Sequence, residues 1–261
     1  MSEPQSIEYR GNCHCGAFKF TFKSPELTKA YGCNCSICSK NGYLWCFPAK
    51  EDFTIVKGDE NTTLKSYKFG KGNMAHKFCP TCGTSVMART LDDKFAINMR
   101  ALADVDFASL PAPVSNGVLI EPLYKVPEPV AVNNVPTGTN VYHGSCHCGA
   151  VGYTLLSPDK ISTAKDCNCS ICARDGALWI YPLLPSVVFK GLDSLGEYTF
   201  GKKTTYHGFC KVCGVAVRER FTEGPDSATT ALNVRTMNGF DISALEITKE
   251  DGWSWPPVYE V

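Results

Sequence analysis

The sequence predicts a mainly β protein built from two tandem copies of one unit, with few short helices. Blocks of the first half return in the second half in the same order, such as GNCHCGAFKFTF from Gly11 and GSCHCGAVGYTL from Gly144. Segments rich in β-branched and aromatic residues, such as FKFTF, FTIVKG and VAVRERF, are typical of strands, and long amphipathic helical patterns are absent. A match over so long a period indicates a duplicated domain rather than a short-period solenoid.

The boundary between the two copies is predicted in the segment VPEPVAVNNVPTGTN, residues 126–140. Its three prolines remove backbone donors, and glycine loosens the chain, so the composition is typical of a linker. We therefore expect three parts along the chain. They are a first domain at 7–126, a linker at 127–138 and a second domain at 139–261.

The composition is that of an ordinary soluble globular protein. The chain has 261 residues, is 44% hydrophobic and carries a formal net charge of zero. The charge balance argues against a nucleic-acid partner. We expect no membrane span, because no apolar run is long enough. The N-terminal MSEPQSIEYR lacks the apolar core of a secretory signal, so we expect a cytoplasmic protein, with the nucleus as the alternative. The sequence does not fix an oligomeric state.

Fifteen cysteines are the outlying feature of the composition. Fourteen of them form three clusters in each copy, and Cys46 is left over, opposite Ile180 of the second copy. Stable disulfides are uncommon in reducing compartments, where clustered cysteines more often bind metal. Cys46 is interpreted as a small buried hydrophobic residue. A disulfide scaffold is the alternative interpretation, and it predicts paired thiols and no metal.

One C-x-C and one C-x-x-C in each copy predict a closed four-cysteine site. In an extended C-x-C both thiols point to the same side of the strand. The glycine that follows each C-x-x-C tolerates a positive φ, which lets the backbone curl around an ion. Four thiolates complete the tetrahedral arrangement of structural zinc. The predicted ligand sets are Cys13, Cys15, Cys79 and Cys82 in the first copy and Cys146, Cys148, Cys210 and Cys213 in the second.

The segment CNCSIC, which occurs once in each copy, supplies three thiols without a fourth ligand. Three protein ligands with an open position are typical of catalytic zinc. The presence of the same three cysteines in both copies favours this interpretation. The pairing of the clusters is open from sequence alone, and a bridged two-metal cluster is an alternative. The predicted open-site ligands, which are also the predicted catalytic residues, are Cys33, Cys35, Cys38, Cys167, Cys169 and Cys172.

Four further pairs of matched residues are candidates for roles near these clusters. His76 and His207 precede a C-x-x-C cysteine by three residues, and either a structural hydrogen-bonding role or metal ligation and proton transfer would fit. Trp45 and Trp179 follow the three-cysteine segments, as core residues or as a substrate wall. A repeated Asn-x-Arg could clamp a substrate carboxylate, with an ordinary surface ion pair as the alternative. The candidate substrate ligands are Asn98, Arg100, Asn233 and Arg235.

The motifs CHCGA, CNCSIC and FC-x-x-CG, in this order, resemble the glutathione-dependent formaldehyde-activating enzyme family, which includes centromere protein V. The resemblance covers nearly the whole chain, as two tandem copies. It implies zinc-binding domains of the β-tent type, with a structural zinc on each four-cysteine set and a catalytic zinc on each three-cysteine set, about two zinc ions per domain. It also implies a reversible carbon–sulfur lyase that joins glutathione and formaldehyde to give S-hydroxymethylglutathione.

From the residues and the resemblance together, we expect a zinc-dependent carbon–sulfur lyase-type enzyme. Its substrate would be a small thiol, aldehyde or adduct of the two, with glutathione as one candidate. Because three thiolates donate heavily to zinc, thiol capture is favoured over water activation. The alternative is a non-catalytic, zinc-stabilised binding module of the centromere protein V kind, in which two copies would supply avidity.

Overall fold

The computed structural model describes residues 6–103, 105–107 and 109–261. The chain divides into two compact units, with the boundary between Tyr124 and Lys125. Over the described residues, each unit contains many short strands and one α-helix of six residues. The predicted mainly β fold with few short helices is therefore confirmed. None of the helices in the described part of the chain is long and apolar enough to cross a membrane.

The first unit has ten strands and one α-helix among the described residues. The strands are β1 (Ile7–Asn12), β2 (Lys19–Ser24), β3 (Gly32–Cys33), β4 (Trp45–Cys46), β5 (Phe53–Lys57), β6 (Lys65–Lys68), β7 (Met74–Phe78), β8 (Ser85–Thr90), β9 (Phe95–Asn98) and β10 (Val114–Ser115). The α-helix is α1 (Ser36–Asn41), and two 3-10 helices span Lys50–Asp52 and Met99–Ala101.

The second unit repeats this order of strands. They are β11 (Asn140–Ser145), β12 (Gly152–Ser157), β13 (Thr163–Cys167), β14 (Trp179–Ile180), β15 (Val187–Lys190), β16 (Leu195–Tyr198), β17 (Thr205–Cys210), β18 (Ala216–Phe221), β19 (Thr230–Asn233) and β20 (Glu246–Glu250). The α-helix is α2 (Ser170–Asp175), and the 3-10 helices are Leu184–Ser186, Leu192–Ser194, Pro225–Ala228, Val234–Thr236 and Ile242–Ala244.

The two units share one sheet topology. The first has a five-stranded sheet of order β4-β9-β8-β7-β6, a three-stranded sheet β1-β2-β5 and a parallel pair β10-β3. In the second unit the parallel pair β13-β20 joins the larger sheet because β13 also pairs with β14, which gives seven strands in the order β16-β17-β18-β19-β14-β13-β20. The first unit keeps only an isolated bridge at this point, between Tyr31 and Trp45. The sequence repeat is therefore also a structural repeat.

Aromatic side chains fill the core beneath the three-stranded sheet of the first unit. Phe20 and Phe22 alternate with less buried residues along β2, as expected for a strand with one face in the core. The ring centroids of Phe20 and Phe53 lie 5.5 Å apart, and those of Phe53 and Phe95 lie 5.0 Å apart. Burying each such ring contributes roughly 1.5–3 kcal/mol, so this core fixes the sheets from which the cysteine loops project.

The CNCSIC segment turns from a strand into a helix in both units. In the first unit it leaves β3, adopts an extended backbone at Cys35 and enters α1. The helix ends at Gly42, whose carbonyl oxygen accepts a hydrogen bond of 2.6 Å from Arg100 Nε. Arg235 Nε donates to the carbonyl oxygen of Gly176 in the same way, at 2.7 Å. This strand-to-helix turn places the three thiols on one side of the loop.

Candidate metal centres

The four cysteines of the predicted closed site meet in each unit. Cys15 Sγ lies 3.7 Å from Cys13 Sγ and 3.6 Å from Cys79 Sγ, and Cys82 completes a group within 4.8 Å. Sulfurs on one tetrahedral zinc ion are roughly 3.7–3.8 Å apart, given Zn–S bonds of about 2.3 Å. The donor set therefore fits a zinc ion. The second unit brings together Cys146, Cys148, Cys210 and Cys213 in the same arrangement.

The prediction that each C-x-C lies on an extended strand was wrong, although its two thiols do converge. Cys13 to Cys15 form a turn after β1 rather than an extended strand, and Gly16 N donates to Cys13 O at 2.8 Å. The expected positive φ after the C-x-x-C is confirmed, at 79° for Gly83 and 77° for Gly214. Two tight turns that are more than 60 residues apart in the sequence therefore supply the four thiols.

The thiols of the first four-cysteine set differ in pKa because they are packed closely together. The pKa of Cys15 is lowered to about 7 because the neighbouring Cys13 thiol donates a hydrogen bond to its sulfur. The same contact raises the pKa of Cys13. The pKa of Cys79 is also lowered to about 7, again with Cys13 as the main donor. Because the thiolate rather than the thiol binds metal, the lowered pKa values of Cys15 and Cys79 suit these residues to be ligands.

The cysteines of CNCSIC form a second cluster of three thiols in each unit. Cys33 ends β3, Cys35 directly precedes α1 and Cys38 lies in the first turns of that helix. Their sulfurs lie within 4.8 Å of one another, as do those of Cys167 and its two partners, Cys169 and Cys172. Over the described residues, no fourth Cys, His, Asp or Glu donor lies within that distance of every sulfur in either cluster. Each cluster could therefore hold a metal with one position open.

The thiols within each three-cysteine cluster also differ in pKa. The pKa of Cys33 is lowered to about 5, mainly by a hydrogen bond from the Cys38 thiol. The same hydrogen bond raises the pKa of Cys38. In the second unit the pKa of Cys167 is lowered to about 3, with Cys169 as the main donor. All 15 cysteines are free thiols, which contradicts the disulfide alternative.

A tryptophan ring directly contacts the third cysteine of each open cluster. Trp45 Nε1 donates to Cys38 Sγ at 3.5 Å, and Trp179 Nε1 donates to Cys172 Sγ at 3.3 Å. Both rings are buried, as the core interpretation predicts. The N–H contact to sulfur was not predicted, and it would stabilise a thiolate at this position. Cys46, next to Trp45, is buried as expected, and burial raises the pKa of its thiol to about 12.

A segment far along the chain closes over each open cluster, and the sequence interpretation missed it. Asn34, the middle residue of the first CNC, accepts hydrogen bonds from Gly117 N at 2.7 Å and Val118 N at 3.1 Å. Asn168 accepts one from Trp253 N at 2.9 Å in the second unit. The only signal was a repeated polar-Gly pair, Asn116-Gly117 and Asp251-Gly252.

Only glycine fits where this returning segment meets the cluster. A Cβ on Gly252 would lie 2.7 Å from Cys167 Sγ, and one on Gly117 would lie 2.6 Å from Cys33 Sγ. Such distances are shorter than van der Waals contact, so the sulfur or the segment would have to move. The glycine allows the backbone to lie directly against a metal-ligand sulfur.

We expect Gly252→Ala to weaken metal retention at the second three-cysteine cluster. The new methyl group would displace Cys167 Sγ while leaving the four-cysteine site untouched. Metal analysis after a mild chelator challenge should find one fewer ion than in the unmodified protein, with an unchanged circular dichroism spectrum. Val258→Ala, at an exposed position nearby, is the control. Equal retention in both variants would contradict this role of the glycine.

A cavity of about 410 Å³ opens onto the three-cysteine cluster of the second unit. Trp253 and Trp255 form part of its wall, and both are more than half exposed. Lys165 lines it too and pairs with Glu250 at 2.5 Å. Pockets with apolar walls and a few convergent polar groups are the usual sites of small-molecule binding. The second cluster is therefore accessible to a small molecule.

The matched histidines have different partners in the two units. Within the described part of the chain the buried His76 Nδ1 has no hydrogen-bond partner, and burial lowers the pKa of His76 to about 4. His207 Nδ1 lies 2.8 Å from Glu219 Oε1. Burial alone would lower the pKa of His207, but the Glu219 carboxylate outweighs it and raises the value. The first unit has Ala88 in place of this carboxylate, and the significance of that difference was not anticipated.

The side chains of the four candidate substrate ligands all donate to backbone carbonyl oxygens. Asn98 is fully buried, and its Nδ2 donates to Ser85 O at 2.9 Å; Asn233 Nδ2 donates to Ala216 O at the same distance. Arg100 and Arg235 anchor the helix ends, as described above, and neither Asn233 nor Arg235 lines the cavity. These contacts give the four residues a structural role. Substrate binding by Asn98, Arg100, Asn233 and Arg235 stays a prediction.

One protein-family model matches this chain twice, once in each copy of the repeat. A model of the family described as "Glutathione-dependent formaldehyde-activating enzyme" matches residues 8–113 and 141–243, which together make up most of the chain. The chain belongs to this family. It contains two copies of the family domain, and each copy includes both cysteine clusters of its unit.

Two individual proteins are similar to part of the chain. A protein of Halomonas elongata named "Putative glutathione-dependent formaldehyde-activating enzyme" is 28% identical over 109 residues, which are 40% of this chain and 68% of that protein. A Rhodobacter sphaeroides protein of known crystal structure is 28% identical in sequence to this chain, and the comparison of the two structures gives a TM-score of 0.37. The match covers 41% of this chain and 99% of the other.

Proposed function

We propose that this protein is a zinc-dependent enzyme that makes and breaks the carbon–sulfur bond between a small thiol and an aldehyde, with S-(hydroxymethyl)glutathione synthase activity as the specific form. The observation that carries the proposal is the open three-cysteine cluster at the floor of the second-unit cavity. Membership of a family named for glutathione-dependent formaldehyde activation supports the choice of thiol and aldehyde.

The proposed reaction is a reversible addition. The thiol sulfur bonds to the aldehyde carbon, the carbonyl π bond opens, and the proton lost by the thiol ends on the new hydroxyl oxygen. Zinc bound by three cysteines would supply deprotonation of a coordinated thiol at neutral pH. Structural zinc on the four-cysteine sites would supply folding free energy instead.

The chain's own residues would support this reaction in three ways. Trp179 Nε1 holds the Cys172 sulfur and helps to stabilise its negative charge. Gly252, Trp253 and Trp255 line the cavity and would contact a bound substrate. Lys165, with the further cavity lysines Lys202 and Lys203, offers cationic partners for the carboxylates of a peptide thiol.

Exchange spectroscopy by NMR tests the proposal directly. With carbon-13 formaldehyde and glutathione, the protein is expected to accelerate interconversion of free aldehyde and S-(hydroxymethyl)glutathione above the spontaneous rate. The double variant Cys35→Ser/Cys169→Ser, with both open clusters disabled, should leave only the spontaneous rate. If the unmodified protein accelerates exchange with neither glutathione nor other small thiols, the non-catalytic binding module becomes the better account.

A further inference from the structure

The second unit carries three different metal-binding side chains at one buried point beside its three-cysteine cluster. His207 on β17 faces Glu219 on β18 as a direct cross-strand pair. Cys172 approaches from α2, and its thiol contacts Glu219 Oε1 at 3.5 Å. The donor atoms of all three residues lie within 4.8 Å of one another, and all three residues are buried. Cys172 therefore belongs to two clusters, CNCSIC and this one.

The first unit folds in the same way without the carboxylate. His76 on β7 faces Ala88 on β8, and Cys38 occupies the position of Cys172. The fold therefore does not require Glu219, since its counterpart lacks any polar side chain there. A buried carboxylate is costly unless it is paired with a cation or hydrogen-bonded. Its presence in one unit alone points to a role specific to that unit.

The spacing of the donor atoms suits a metal ion. Ligand atoms of mixed type on one tetrahedral zinc lie roughly 3.3–3.7 Å apart, given the usual bond lengths. The Cys172 Sγ–Glu219 Oε1 distance of 3.5 Å falls in this range. The His207 Nδ1–Glu219 Oε1 distance of 2.8 Å is below this range and is that of an ion pair, so these two atoms would have to move apart by about 0.5 Å to share an ion. A sulfur, a nitrogen and an oxygen donor together favour zinc among the common divalent ions.

We infer that the second unit holds an additional divalent metal ion, most suitably zinc, ligated by Cys172, His207 and Glu219. Cys172 then bridges this ion to the one on the three-cysteine cluster. The ion has a route in from solvent, because all three ligands line the cavity. The inference rests on the metal binding assumed in the proposed function but not on its substrate. The chain would hold five ions, one for each group of ligands, two in the first unit and three in the second.

Metal counting on the full chain tests this inference. Protein saturated with zinc and dialysed free of excess is expected to contain five ions. Glu219→Gln keeps the size of the side chain but removes the anionic ligand, and Glu219→Ala reproduces the first unit; each should lower the count to four. Cadmium-113 NMR of the cadmium-loaded protein should lose one resonance in the same variants. Circular dichroism establishes that they remain folded.

The possible counts separate this inference from the proposed function. Four ions in the unmodified protein and in Glu219→Gln would mean that His207 and Glu219 are only an ion pair, and would overturn the inference. Four ions with a cobalt spectrum altered by Glu219→Gln would make Glu219 the fourth ligand of a single ion, which also overturns it. A count of two ions would mean that the three-cysteine clusters bind no metal. That result would contradict the proposed function as well as this inference.

Discussion

Replacing Cys210 by alanine is expected to prevent the second unit from folding. Cys210 ends β17, is buried, and is one of four cysteines whose sulfurs are grouped around one candidate metal position. Binding of structural zinc is worth about 10–16 kcal/mol in small domains, comparable to the total stability of a domain at about 5–15 kcal/mol. Limited proteolysis and circular dichroism should report an unfolded second unit, and metal analysis should find its ions lost.

Cys46→Ala is the matched control for this variant. Cys46 is as buried as Cys210 but belongs to no group of ligands among the described residues. Its loss should cost about 1 kcal/mol, as for a typical point mutation, with no change in metal content. A folded Cys210→Ala protein with a full complement of ions would contradict the structural role of the four-cysteine site.

Cys169→Ser is expected to abolish most turnover while leaving the protein folded. Cys169 is the partly exposed residue that directly precedes α2, a position at which serine is a favoured helix N-cap. The hydroxyl keeps the shape of the side chain but is a poor zinc ligand, so the open cluster of the second unit should lose its ion. We expect a fall in kcat/KM on the order of 100-fold or more, as for loss of a catalytic metal.

The corresponding change in the first unit, Cys35→Ser, measures the contribution of the other cluster. Because the described cavity lies over the second cluster, Cys35→Ser should lower turnover much less than Cys169→Ser. Both variants should lose metal and keep their circular dichroism spectra. Equal losses of activity would mean that both units work, and full activity in Cys169→Ser would contradict the assignment of the second cavity.

The features that the sequence predicted correctly are those set by local chemistry. The strand segments follow from β-branched and aromatic residues, and the three-cysteine clusters follow from a spacing that brings their thiols together in one turn. The four-cysteine sites, which join two distant turns, follow from the four ligands that structural zinc requires. The duplication added evidence, because each assignment could be checked against a second copy. These arguments need no knowledge of which strands are neighbours.

The missed features depend on contacts between distant parts of the chain. The pairing of His207 with Glu219 follows from the β17–β18 register, and the closure over Cys167 follows from the parallel pairing of β13 with β20. Neither is set by local spacing. The side chain of Asn98, which stays a predicted substrate ligand, donates to the backbone oxygen of Ser85 on β8, and the sequence did not indicate this contact. Buried polar groups often serve the backbone in this way.

The most direct test of the central claim is a crystal structure of the zinc-loaded protein with glutathione, using anomalous scattering to locate the metal. We predict that the glutathione sulfur lies about 2.3 Å from a zinc ion held by Cys167, Cys169 and Cys172, within the second-unit cavity. A zinc ion at that cluster with a protein side chain as its fourth ligand, and no bound thiol, would contradict the account.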